Sequence, residues 1–87
     1  MDVDSRIKVL TRRITVHISE IPREKGNLAQ HLQIRQFIGQ DLAALESCFE
    51  NQQQFRVYTK QYFKWDLTTC LLYISYYHFL LDYQMFI

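Results

Sequence analysis

The chain has 87 residues, of which 48% are hydrophobic, 15% aromatic and 22% charged, and its formal net charge is +1. A chain this short buries only about 60% of the surface that its unfolded form exposes, so it forms at most one small domain. The near-neutral charge argues against a nucleic-acid-binding protein, and the hydrophobic content argues against an intrinsically disordered one. We therefore expect a folded protein with no nucleic-acid partner.

Residues 1–26 form the first predicted segment, with a boundary at Pro22–Gly26, because proline and glycine interrupt regular structure. The apolar stretch before this boundary fits two interpretations. Alternation of apolar and polar residues from Ile14 to Ile18 is typical of a β-strand with one buried face. A helical heptad pattern is also present, in Ile7, Leu10, Ile14, His17 and Ile21. The sequence leaves strand and helix open for Arg6–Ile21.

Residues 27–87 form the second segment, and we predict that they are helical. Asn27 is a suitable N-cap, with Gln30 at the third helical position. Beyond it, apolar residues follow helical spacing: Leu28, Leu32, Ile38, Leu42, Leu45 and Phe49. Gly39 costs this helix about 1 kcal/mol relative to alanine. Near Asn51 the spacing changes, which indicates either an overwound long helix or a turn into a hairpin. The predicted fold class is therefore mostly α, as one long amphipathic helix or a coiled-coil-like helical hairpin.

The last third of the chain carries large apolar residues in a three–four alternation over four heptads. Apart from Thr69, the positions are aromatic or leucine: Phe55, Tyr58, Tyr62, Trp65, Leu72, Tyr76, Phe79, Tyr83 and Phe86. Such spacing is typical of a helical packing seam. Neighbouring positions are apolar too, and a small chain has little left to cover them. We predict that these nine residues bind a protein partner, either another copy of the chain or a larger complex.

The sequence lacks the elements of catalytic, cofactor and metal sites. Two glycines cannot form a glycine-rich phosphate loop, no nucleophile elbow is present, and the histidines and cysteines lack the paired spacing of structural zinc sites. We expect no enzyme activity, no cofactor and no metal. The carboxylates Asp41, Glu46 and Glu50 are predicted to be solvated, as is His31. Arg35 falls among apolar residues, and we expect it to reach solvent or to pair with an acidic group of a partner.

Location is predicted from the cysteines and from the C-terminal segment. Cys48 and Cys70 form no CxxC pair, which favours a reducing compartment such as the cytoplasm. The competing hypothesis is a tail-anchored membrane protein, because residues 67–81 contain no Asp, Glu, Lys or Arg and residues 66–87 have the length of a span. That segment includes Asp82, however, whose charge costs about 2.5–3.5 kcal/mol at a bilayer centre. We favour burial against protein over burial in lipid.

Overall fold

A computed structural model of the protein describes residues 2–21 and 27–85. Four helices contain 86% of these residues: α1 Val3–Glu20, α2 Leu28–Glu46, α3 Gln52–Phe63 and α4 Leu67–Met85. The described ranges contain no strand, so the prediction of a mostly α fold is confirmed. The predicted boundary at Pro22–Gly26 lies outside the described residues.

Helix α1 resolves the open choice for the N-terminal segment in favour of helix. The Asp2 side chain caps α1 by accepting a hydrogen bond of 2.7 Å from the backbone N–H of Ser5. Leu10 and Ile14, four residues apart, are buried on its inner side, whereas 49% of Val16 is exposed. A strand would put Ile14 and Val16 on the same face. The strand interpretation is therefore wrong, because burial follows the helical period.

Helix α2 is the centre of the fold, since it packs against both α1 and α4. Its predicted N-cap is confirmed: the Asn27 side chain accepts a 3.1 Å hydrogen bond from the backbone N–H of Gln30. The core residues of α2 are Ile34, Ile38, Leu42 and Leu45. Leu28 and Leu32 were predicted on the same stripe, but they lie roughly a quarter of a turn or more away from it. They are therefore exposed, by 73% and 41%.

The backbones of α2 and α4 approach each other closely at Gly39. A Cβ atom added there would lie 2.8 Å from the Cβ of Tyr77 and would collide with the carbonyl oxygen of Tyr73. Only a residue without a side chain fits between the two helices at this distance. The glycine that weakens α2 as an isolated helix therefore permits its packing against α4.

The chain turns between α2 and α3, as one of the two alternatives for the region near Asn51 predicted. The Asn51 side chain caps α3 by accepting a 2.9 Å hydrogen bond from the backbone N–H of Gln54. In the turn, Phe49 packs on the rings of Phe55 and Tyr58, at centroid distances of 6.0 and 5.2 Å. These aromatic contacts fold α3 back onto the core.

A second break, which was not predicted, separates α3 from α4. Lys64 has a left-handed backbone with φ of 60°, and the backbone N–H of Trp65 donates to the carbonyl of Thr59 at 3.4 Å. Asp66 then starts α4 by accepting a 2.8 Å hydrogen bond from the backbone N–H of Thr69. The prediction of one continuous stripe over four heptads is therefore wrong, because the stripe is divided between two helices.

Candidate functional site

Part of the predicted binding stripe lies in the core of the protein. Phe55 is fully buried, so it contributes to no surface of the folded chain. Tyr58 is half-buried, and its hydroxyl lies 2.6 Å from the Thr11 hydroxyl, which links α3 to α1. Trp65 is also half-buried and stacks on Tyr73 with the ring centroids 5.0 Å apart. These three members of the stripe stabilise the fold itself.

Other members of the stripe remain accessible on α4. Leu72, Phe79 and Tyr83 are exposed by 68%, 63% and 58%, and Tyr76 between them is half-buried. Their steps of four, three and four residues place them on one side of α4 over about 16 Å. We call Leu72, Tyr76, Phe79 and Tyr83 the α4 outer face. On α3, Tyr62 is 56% exposed and stacks on Tyr58. Phe86 lies outside the described residues.

A groove with a volume of about 490 Å³ runs beside the α4 outer face, between α2 and α4. It is lined by Leu28, His31, Leu32 and Arg35 of α2 and by Thr69, Leu72, Tyr73 and Tyr76 of α4. We call it the α2–α4 groove. Because Leu72 and Tyr76 belong to both features, the groove and the outer face form one continuous, mostly apolar surface.

The described residues of this groove carry charge of one sign, which is positive. Arg35 is exposed, and within the described ranges it makes no ion pair and no carboxylate lines the groove. The Nε2 atom of His31 is buried and has no hydrogen-bond partner within the same ranges. The prediction that His31 is solvated is therefore wrong. Among the described residues, the groove therefore offers one positive charge, that of Arg35, set among leucines and tyrosines.

A separate polar site joins α1 to α2. Nη2 of Arg13 lies 3.2 Å from Oδ1 of Asp41, whose side chain is only 4% exposed. Oδ2 of Asp41 has no hydrogen-bond partner among the described residues. The prediction that Asp41 is solvated is wrong, because it lies three residues after Ile38 and four before Leu45, on the buried side of α2. Burial raises the pKa of Asp41, and the charges of Arg13 and His17 oppose this shift.

Asp41→Asn is expected to raise the free energy of unfolding at pH 7, because burial disfavours the Asp41 charge by more than Arg13 and His17 favour it, as its raised pKa indicates. Because the pKa of Asp41 is raised, the difference in free energy of unfolding between the variant and the wild type depends on pH. As the pH falls through the folded-state pKa towards the usual value of 3.8, the wild-type carboxyl takes up a proton and loses the same charge. The advantage of the variant should therefore shrink between pH 7 and pH 4. Urea unfolding at several pH values measures it.

The control for this prediction is Glu50→Gln, which alters an exposed carboxylate in the turn after α2. Its free energy of unfolding should stay within about 0.5 kcal/mol of the wild type. A difference between Asp41→Asn and the wild type that stays constant from pH 7 to pH 4 would contradict the assignment of a buried, destabilising charge to Asp41.

The sequence pattern pointed to the α4 outer face but missed the α2 wall of the groove. Helical spacing predicts Leu28 and Leu32 on the same stripe as Ile38 and Leu42. The sequence did contain a signal for this difference. Ile34, Ile38 and Leu42, spaced four residues apart, form an inner stripe, and Leu28 and Leu32 lie beside that stripe and not on it. Arg35 gave a second signal, because a charged residue beside apolar ones marks the edge of a buried stripe.

Within residues 2–21 and 27–85, no helix combines the length and the apolar character that a membrane crossing requires. Within the same ranges, no three His, Cys, Asp or Glu side chains lie together in an arrangement that could hold a metal ion. Comparisons of the chain with protein-family models, with curated proteins and with solved structures found no match.

Proposed function

We propose that this protein is a small, non-enzymatic assembly or adaptor subunit that binds another protein through the α2–α4 groove and the α4 outer face. The observation that carries the proposal is the exposure of large apolar side chains on adjacent helices, led by Leu28 at 73%, Leu72 at 68% and Phe79 at 63%. Single exposed apolar residues are common on protein surfaces. Contiguous ones are typical of sites of interaction.

The size of this surface fits a stable complex. With about 200 Å² for each large side chain, the exposed fractions correspond to roughly 600 Å² of uncovered apolar residue surface. The residues counted are Leu28, Leu32, Leu72, Phe79 and Tyr83. Tyr76 and the polar rim bring the total close to the 800 Å² or so that each partner buries in an interface of standard size. An apolar patch of roughly 600 Å² is at the upper end of the largest patches that monomers expose, and such patches are often functional.

We propose that the subunit is cytoplasmic, on the basis of its thiols. Cys48 and Cys70 are both free, and Cys70 lies in the core with no exposed surface. Burial raises the pKa of the Cys70 thiol, which keeps it protonated and unreactive. Thiols that serve as packing residues are typical of proteins in reducing compartments.

The double variant Leu72→Gln/Phe79→Gln tests the proposal. The purified wild-type protein is expected to self-associate and to increase the fluorescence of a hydrophobic dye, because its binding surface is uncovered when the partner is absent. The double variant should lose most of both effects. Light scattering after size-exclusion chromatography gives the mass, and a dye titration gives the binding. Urea unfolding should show a loss of less than about 0.5 kcal/mol per substitution, since both side chains are exposed.

The matched control is Val16→Gln/Val57→Gln, which changes exposed apolar residues of α1 and α3 that are 49% and 56% accessible. This variant has the same number of apolar-to-polar changes outside the proposed surface, so it should associate and bind dye like the wild type. A wild-type protein that is a monodisperse monomer and binds no dye would contradict the proposed function, as would equal losses in the two double variants.

A further inference from the structure

We propose that the segment seated in the α2–α4 groove is an amphipathic helix of a partner protein, with an acidic side chain that pairs with Arg35. This inference rests on the proposed function and names the chemistry of the partner. It predicts a binding preference for one sign of charge, which a purely apolar contact does not have.

The shape of the surface fits a helix. The groove lies between two helices, and its apolar walls are formed by Leu28 and Leu32 on one side and by Leu72 and Tyr76 on the other. A volume of about 490 Å³ has room for anchor side chains of the kind that a helix presents at positions i, i+3 or i+4, and i+7. The α4 outer face continues past the groove to Tyr83. A surface about 16 Å long corresponds to three turns of a bound helix.

The charge of the surface specifies an acidic partner. Among the described residues that line the groove, Arg35 is the only Lys or Arg, and none is Asp or Glu. The groove also lies beside the first turns of α2, where the helix dipole favours negative charge. A carboxylate beside an apolar stripe complements these features, whereas a lysine at the same position opposes them.

A library of displayed helices tests this inference without knowledge of the natural partner. Every member carries leucine at positions i, i+4, i+7 and i+11, and the flanking positions vary among Glu, Gln and Lys. Selection on the wild-type protein is expected to enrich Glu at one or more flanking positions. Synthesised peptides that differ only there should bind about tenfold more tightly with Glu than with Lys, as measured by fluorescence anisotropy.

The charge-reversal variant Arg35→Glu supplies the decisive comparison. Arg35 is exposed on α2, so this variant should keep the urea midpoint of the wild type. Selection on it is expected to enrich Lys in place of Glu, and Arg35→Gln should abolish the preference. The matched control is Lys8→Glu, which reverses the charge of an exposed residue of α1 and should leave the library's enrichment of Glu unchanged.

Several outcomes would overturn the inference: no bound helices, binders without a charge preference, or a preference that Arg35→Glu does not change. Oleate is the lipid probe, and oleate binding in the groove without peptide binding would replace the helix by a fatty-acid ligand. These failures differ from failure of the proposed function. If the wild type still self-associates and the Leu72→Gln/Phe79→Gln variant does not, the surface is an interface but its occupant is not an acidic helix.

Discussion

Phe55→Ala is expected to lower the free energy of unfolding by about 3–5 kcal/mol, because it empties a fully buried position in the core. A domain of this size is stable by about 4–13 kcal/mol in total. The variant should therefore lose a large fraction of its stability and could unfold at room temperature. Urea unfolding followed by circular dichroism measures the change. A shifted midpoint with an unchanged m-value, the slope of the free energy of unfolding against urea concentration, shows that the variant and the wild type differ in stability alone.

The matched variant is Phe79→Ala, in the same predicted stripe as Phe55. Phe79 is 63% exposed, so its loss should change the free energy of unfolding by less than about 0.5 kcal/mol while it weakens association and dye binding. The two variants therefore distinguish the core role of Phe55 from the surface role of Phe79, which the sequence pattern does not distinguish. Equal destabilisation by both variants would mean that Phe79 is covered in the folded chain and that the α4 outer face is not a free surface.

Gly39→Ala is expected to destabilise the protein, although alanine is the better helix former. Propensity alone predicts a gain of about 1 kcal/mol. Against this, the new methyl group would lie 2.8 Å from the Cβ of Tyr77 and would strike the backbone oxygen of Tyr73, so the helices must move apart. Overpacking of this kind typically costs 1–3 kcal/mol, and more when backbone is involved. We expect a net loss of about 1–3 kcal/mol on urea unfolding, and a larger loss for Gly39→Val.

Gln40→Ala is the control for this substitution, because Gln40 is exposed on the same helix and one residue further along. It changes helix propensity only slightly and should be nearly neutral. If Gly39→Ala were instead about 1 kcal/mol more stable than the wild type, α2 and α4 would not approach each other closely at this position.

Local signals in the sequence predicted much of the fold. Asn27 was identified as the N-cap of α2, and a turn near Asn51 was one of two alternatives, because capping depends on residues three apart in the chain. Asp66 caps α4 through the same type of contact with Thr69, so a comparable signal for the second break existed. The end of α3 was harder to predict, because Lys64 occupies a left-handed position that usually carries glycine.

The sequence by itself determined that the last third of the chain is helical and too apolar to be solvated throughout, because helical periodicity follows from 3.6 residues per turn. Only the tertiary structure decided which parts of the stripe meet the protein and which meet solvent. Phe55 and Phe79 belong to the same predicted stripe, yet the turn at Lys64 places Phe55 in the core and leaves Phe79 exposed. The burial of Asp41 was likewise decided by the tertiary structure. Spacing shows that residues share a face of a helix, but not what that face contacts. The C-terminal apolar surface is therefore smaller than its pattern predicted, and it is joined to a groove on α2.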